Sequence, residues 1–422
     1  MKFISTRENS KKFDAPECLL QGLASDGGLF VPENFPVVNL SDYKSTMSMS
    51  EFGQKVLAPF FAETSLASKL EKICDQAFNF QVPLEKIAKS KGLSVLELFH
   101  GPTAAFKDVG ARFLANALIE LGTKATVIVA TSGDTGGAVA SAFANQPGFD
   151  VIILYPRGKI SQRQEKQLTS WGPSVRAFSV NGTFDDCQRI VKAALADSKL
   201  SNDHSFISAN SISIGRLLPQ MVYHARASLQ YKSSTEKNAT LIVPTGNLGD
   251  AVAALWAKRS GFPIDKVILA TNSNRTLIDF FETGMYETRP TIATLANAMD
   301  VSAPSNFERL VHLYPDFEAL KKDVQAFSIS DSEISKAIAH GLEDYGQIWC
   351  PHTATAVVAR EKSQIENAIL VATAHPAKFE TIVEPLIQKS VPVPTKLAET
   401  LRGSSVSFDL ESDFDSFKRA IA

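Results

Sequence analysis

Ser94–Leu121 reads SVLELFHGPTAAFKDVGARFLANALIEL. A strand-like run, Val95-Leu96-Glu97-Leu98-Phe99, feeds a turn at His100-Gly101-Pro102-Thr103, and Ala104-Ala105-Phe106 lead to Lys107 and Asp108. Beyond them Phe113, Leu114, Ala117, Leu118 and Leu121 recur at i, i+1, i+4, i+5 and i+8, the period of an amphipathic helix. Lys107 therefore stands where a strand-turn unit hands over to a helix N-terminus among apolar residues. Only an unprotonated amine attacks a carbonyl, and both apolar surroundings and the positive end of a helix disfavour the ammonium form. Lys107 is a candidate nucleophile on that ground, although an ordinary surface lysine beside a helix start fits the spacing as well.

Outward from this stretch, strands alternate with helices. Val127–Ala130, Val151–Tyr155, Thr240–Val243, Val267–Ala270 and Ile369–Ala372 are short apolar runs of the kind buried in parallel sheets. A helix is expected over Ala138–Ala144, and the alternation predicts an α/β fold with mostly parallel sheet and helices on both faces. Before it, residues 1–82 read as a small, mainly helical N-terminal domain. Its helices are expected around Ser50–Ala62 and Leu66–Phe78, after a tight turn at Asp26-Gly27-Gly28. Residues 83–385 form the core, and 386–422 a mobile or peripherally packed C-terminal tail. Thr283–Pro290 and Pro304–Pro315 look like loops joining helices.

Two glycine-bearing turns sit between a strand and a helix. One holds Ser132-Gly133-Asp134-Thr135, the other Gly246-Asn247-Leu248-Gly249-Asp250. Glycine lets backbone approach closely, and a helix start offers unpaired N–H groups at a positive dipole end, so both are candidate anion cradles. Turn geometry alone also favours glycine there. Neither turn is G-x-G-x-x-G, and no G-x-x-x-x-G-K-[ST] occurs, which disfavours dinucleotide and P-loop chemistry. Asn210, Ser211, Ser213 and Arg216 in SANSISIGRLLPQ could hold an anionic substrate, because guanidinium binds phosphate and carboxylate bidentately; an N-cap with a surface arginine is the plain alternative. In VATAHPAKF, Thr373, His375 and Lys378 follow an apolar strand, whose carboxyl end faces the ligand crevice in parallel sheets. Thr373 could hydrogen-bond a heteroaromatic nitrogen or simply cap the turn before Pro376. Cys350-Pro351-His352 falls short of a metal-ligand pattern, and no metal is expected.

Composition is that of an ordinary globular protein: 422 residues, 44% hydrophobic, 21% charged, net charge -2. Basic residues are dispersed, which argues against nucleic acid, and no apolar run approaches the roughly 18 residues of a membrane helix. The N-terminus lacks the pattern of a secretory signal, and Cys18, Cys74, Cys187 and Cys350 have no C-x-x-C, which suits free thiols in the cytoplasm.

Taken together, HGPTAAFKD, SGDTGGA, YPRGKIS, NSISIGRLL, GNLGD, NAMDVSAPSN and TAHPAKF, preceded by QGLASDGGLFVP, closely resemble the blocks of the threonine synthases in the same order. The likeness covers essentially the whole chain and is to the longer, bacterial and fungal kind. It implies a fold-type-II pyridoxal-phosphate enzyme, tryptophan synthase β-like, with two α/β lobes, a small N-terminal domain and the cofactor in the cleft. The implied reaction turns O-phospho-L-homoserine and water into L-threonine and phosphate. By motif position, Lys107 would carry the cofactor; Gly246, Asn247, Leu248, Gly249 and Asp250 would cradle its phosphate. Thr373 would meet its pyridine nitrogen, and Ser132, Gly133, Asp134 and Thr135 would approach its 3′-oxygen and the substrate carboxylate. Asn210, Ser211 and Arg216 would bind the substrate phosphate. Asp134 and Ser213 stand where relatives often carry asparagine, and an ionised Asp134 could not donate to a phenolate oxygen. A dehydratase or phospho-lyase of the same fold, or a non-catalytic binder of a phosphorylated metabolite, are the rival readings. A monomer or homodimer is expected.

Overall fold

The computed structural model describes residues 1–422, the side chain of Asn202 excepted. The apolar runs become strands covered on both faces: every residue of Ala125–Ala130, Ala239–Pro244 and Ala368–Ala372 is buried. Such strands have no polar side to turn to water, so they lie inside sheets with helices on either face. Two sheets result. The larger runs in the order Val324–Ser328, Ile264–Thr271, Ala239–Pro244, Ala368–Ala372, Leu93–Glu97, Leu84–Lys86, parallel except for the last pair. The smaller runs Phe408–Glu411, Val175–Asn181, Phe149–Pro156, Ala125–Ala130, Phe206–Ser208, parallel throughout. Two α/β lobes, one per sheet, confirm the fold class expected from the alternation.

The helix Lys107–Glu120 is the pivot between the lobes and the N-terminal region. Its Phe113, fully buried, meets Phe61 at 5.8 Å and Phe78 at 6.0 Å between ring centroids. Phe61 ends the helix Met49–Phe61 and Phe78 follows the helix Leu70–Ala77, so the N-terminal helices brace the lysine-bearing one. The first of them starts at a capping box, in which Ser48 accepts from the Glu51 N–H and Glu51 accepts from the Ser48 N–H. A short antiparallel pair, Phe3–Ser5 with Phe30–Pro32, closes this region.

One expectation is corrected. Pro304–Pro315 is not a plain loop: Phe307–Leu313 is helical, with Arg309 and Leu310 turned inward, and the prolines only bracket it. Of the two forms expected for the C-terminal residues, mobile or peripherally packed, they take the second. Phe408–Glu411 extends the smaller sheet, and Leu410, Phe417 and Ile421 are buried in the same cluster as Phe178 and Ile190. Their apolar residues were spaced too widely among acids to read as core.

Gly110 lets the Lys107 helix meet the chain at Arg216: a Cβ there would lie 2.4 Å from the Arg216 carbonyl oxygen. Helix propensity favours alanine over glycine by about 1 kcal/mol, but overpacking against backbone costs about 1–3 kcal/mol. Gly110→Ala is therefore expected to melt below the parent protein in thermal denaturation, and a higher Tm would contradict this packing.

Candidate active site

The lysine turn is clipped to the end of a central strand. Ala105 and Ala374 form an antiparallel bridge, the Phe106 N–H donates to the Thr373 carbonyl at 2.8 Å, and the His375 N–H donates to the Ala104 carbonyl at 3.0 Å. Ala104 is held at φ +55°, a conformation that costs a side-chain-bearing residue about 1–2 kcal/mol. Within the turn, buried Asp108 accepts from the Thr103 N–H at 2.9 Å and the Thr103 hydroxyl at 2.7 Å. A Cβ on Gly101 would sit 2.4 Å from that carboxylate, so only glycine fits. Burial raises the Asp108 pKa despite these hydrogen bonds.

This clip delivers Lys107 to a cavity between the lobes, where it has no hydrogen-bond or ion-pair partner among the described residues. Burial lowers its pKa to about 8; Asp134 opposes the shift, and the cations of Arg216 and Lys378 reinforce it. The same cavity is lined by Ser132, Asp134, Thr135, Asn210, Ser211, Arg216, Gly246, Asn247, Leu248, Gly249, Asp250 and Thr373. Most of the candidates carried by the motifs thus converge on one place, although they come from both sheets. Gly133, Ser213, His375 and Lys378 do not line the cavity; Ser213 is buried with an unpartnered hydroxyl.

Each glycine turn leaves donors free. In the larger lobe, the N–H groups of Gly246 to Asp250 have no acceptor in the protein among the described residues, and they open the helix Gly249–Arg259. Leu248 caps that helix at φ +64°, a left-handed residue of the kind that turns successive N–H groups toward one concavity. Gly246 packs so close to Met299 that a Cβ would be 2.8 Å from its Cα. Asp250 does not oppose an anion there with a bare charge. Its Oδ1 accepts from the Tyr223 hydroxyl at 2.6 Å and sits 2.7 Å from His224 Nε2. In the smaller lobe, Thr131 Oγ1 accepts from the N–H groups of Gly133 and Gly136, leaving those of Asp134 and Thr135, at the start of the helix Asp134–Phe143, without acceptors.

Several contributors were not legible in the sequence. Arg309, fully buried, donates to the carbonyls of Phe30, Ser211 and Ile212 and to Asn306 Oδ1, while Asn306 donates to the Asn247 carbonyl. One guanidinium thus ties the N-terminal region to both the Ser211 and Asn247 segments, and burial lowers its pKa to about 9. His352 also lines the cavity. Its Nε2 accepts from the Ala298 N–H at 3.1 Å, and burial lowers its pKa to about 4, so it is a neutral imidazole. Asn210, lining the cavity, uses its amide oxygen and one amide N–H on the two polar groups of Ala130 and so fixes the strand end. Lys378, given no role by its motif, makes a buried ion pair with Asp134 at 2.8 Å.

A nucleophilic lysine with an unpaired amine, two sets of unpaired N–H groups at helix starts and the Thr373 hydroxyl at a cleft between two α/β lobes suit a planar, phosphate-bearing aldehyde. The donor set fits pyridoxal phosphate, and the chain belongs to the pyridoxal-phosphate-dependent enzymes, whose family model matches residues 81–374. Within them it belongs to the threonine synthase family: residues 2–78 match the model for the threonine synthase N terminus. Threonine synthase of Haemophilus influenzae is 37% identical over 418 residues, covering 98% of both chains. Among solved structures, that of threonine synthase from Escherichia coli superposes with a TM-score of 0.93 at 36% identity, covering 100% of this chain and 99% of the other. A pyridoxal-phosphate-bound threonine synthase from Brucella melitensis gives 0.90 at 33%, covering 100% and 98%.

The amine titration has a direct consequence. The apoprotein should take up pyridoxal phosphate at an initial rate that rises with pH through a midpoint near about 8 and levels off above it, because only the free amine reacts. Stopped-flow absorbance would measure this; a midpoint at the ordinary lysine value of about 10.4 would contradict the desolvated setting.

Proposed function

We propose that the chain converts O-phospho-L-homoserine and water into L-threonine and phosphate at the cleft that Lys107 lines, with Lys107 carrying the cofactor. The reading is best supported by the unpaired Lys107 amine between two loops of free N–H groups, one on each lobe. Anions are held by such groups without desolvating a counter-charge. The Gly246–Asp250 loop would take the cofactor phosphate, and Thr373 the pyridine nitrogen. Ser132, Thr135 and the N–H groups at Asp134 and Thr135 would take the substrate carboxylate. Arg216, buried and with its Nε unpartnered, would bind the substrate phosphate together with Asn210 and Ser211.

Bound pyridoxal phosphate supplies an electron sink for the charge left when the substrate loses its α-proton. The protein's part is to hold and move protons and to fix the leaving group. The Lys107 amine accepts the Cα proton and later returns it. A Cβ proton then leaves as the phosphate, kept in position by Arg216, departs from Cγ with its bonding electrons. Cγ takes up a proton to become the methyl group, and water adds its hydroxyl at Cβ, its remaining proton ending on the released phosphate. The Thr373 hydroxyl, neutral where other folds place a carboxylate, would leave the ring nitrogen largely unprotonated and the sink a mild one. Asp134, ionised, has no proton to offer the cofactor 3′-oxygen, so a role as donor there is withdrawn.

We also place the protein in the cytoplasm as a monomer or homodimer that binds no nucleic acid. The support is its near-neutral charge and its four free, buried cysteines. No helix among the described residues is long and apolar enough to cross a membrane.

Incubation with O-phospho-L-homoserine should yield threonine and phosphate in equal amounts by mass spectrometry and phosphate assay, and neither with Lys107→Ala. Ketobutyrate in place of threonine would move the enzyme to the dehydratase reading. Arg216→Ala is expected to raise KM about tenfold or more, given ~1.5–3 kcal/mol for a hydrogen bond to a charged group. An unchanged KM would sink its role as the phosphate ligand.

A further inference from the structure

Two amines, that of half-buried Lys107 lining the cavity and that of buried Lys378, share the surroundings of one carboxylate, Asp134. Lys378 is 0% and Asp134 4% exposed, and the pair is closed at 2.8 Å. Lys378 also donates to the Thr103 carbonyl at 2.8 Å, inside the lysine turn, and Asp134 Oδ1 further accepts from Gln164 Nε2 at 3.1 Å. Asp134 opens a helix of the smaller lobe, whereas Lys378 lies in the turn Pro376–Phe379 that follows a strand of the larger one, so the pair spans the cleft. Lys107, lining the same cavity as Asp134, lies 5.2 Å from the Phe106 ring centroid and has no hydrogen-bond or ion-pair partner among the described residues.

Electrostatics decides what such a trio does. A carboxylate in a low-dielectric pocket keeps charged whichever ammonium it pairs with. The other amine then faces an approximately neutral pair, and burial becomes the largest influence on its state. We propose that Lys378 is a positioning residue that occupies Asp134 and thereby keeps the carboxylate from pairing with Lys107, leaving the Lys107 amine free as nucleophile and proton acceptor. This rests on the reading of Lys107 as the cofactor lysine. Among the described residues, the other charged or titratable groups around the trio are Arg216 and Asp250 beside Lys107, His352 and Cys350 beside Asp134, and Asp108 and His375 beside Lys378. Arg216 disfavours the Lys107 ammonium, Asp250 favours it, and His352 is neutral.

The test reads Lys107 itself, in apoprotein, by competitive acetylation at a series of pH values followed by peptide mass spectrometry. Lys378→Met hands Asp134 to Lys107, and its Lys107 should be about tenfold less reactive near neutral pH, the change for a titration moved by about one pH unit. Asp134→Asn should shift reactivity the opposite way. The double variant Asp134→Asn/Lys378→Met removes the pair as a unit and should restore Lys107 reactivity to near the parent value, which a merely structural role would not do. Because a buried unpaired carboxylate can unfold Lys378→Met, the charge-free double variant and Asp134→Asn carry the test on their own, with folding checked by circular dichroism. Unchanged Lys107 titration in Asp134→Asn, or a double variant displaced as far as the single ones, would overturn the proposal. Absence of threonine from the parent enzyme would instead overturn the function and leave the labelling result standing.

Discussion

Desolvation of one amine is the constraint on which this structure depends. A lysine in water is an ammonium at neutral pH, and no local sequence can change that; the amine has to be enclosed. Here enclosure takes both lobes. The bridge between Ala105 and Ala374 ties the lysine turn to the strand Ala368–Ala372 of the larger sheet, and the loop at Ser132–Thr135 comes from the smaller one. The helix that Lys107 starts is in turn braced by Phe61 and Phe78 from the N-terminal helices. The N-terminal region is thus coupled to the chemistry by packing, without contributing a residue to the cavity lining.

The same enclosure explains the number of charged groups without solvent. Arg216, Arg309, Lys378, Asp108, Asp134 and Asp250 are all buried. Each is held by named hydrogen bonds. Carbonyls surround Arg309, the Arg216 guanidinium donates to the Ala209 carbonyl, Thr103 binds Asp108, Tyr223 and His224 bind Asp250, and the two members of the Asp134–Lys378 pair bind each other. Burying a charge is costly unless it is paired or fully hydrogen-bonded. These arrangements order the segments that must present free N–H groups to an anion, and they leave the Lys107 amine as the group without a partner.

Where the chemistry is local, the sequence was readable. Strand, glycine turn and helix start are contiguous at Thr126–Ala144 and Thr240–Lys258, so the apolar run and the glycines predict both the α/β architecture and the cradles. The motif order added the cofactor, the family and the reaction. What stayed hidden was what depends on distant pairing. Thr103 and Lys378 lie 275 residues apart, and Arg309 reaches Phe30 across 279. A buried arginine inside a Pro-bracketed segment looks like a surface residue in a loop, and Lys378, although its strand placed it at the crevice, gave no sign of the carboxylate it pairs with. The edge strand Phe408–Glu411 was equally silent, because only Leu410 of its four residues is buried.

Two lysines could carry the cofactor, since Lys107 lines the cavity beside Asp134 and buried Lys378 pairs with that carboxylate. Reduction of the holoenzyme with borohydride fixes pyridoxal phosphate to the lysine that holds it, and peptide mass spectrometry identifies that residue. The structure predicts the pyridoxyl group on Lys107 alone, the amine with no ion-pair partner and a pKa lowered to about 8. A pyridoxyl group on Lys378 would mean that the ion pair opens to free the other amine, and the assignment of roles in the cleft would be wrong.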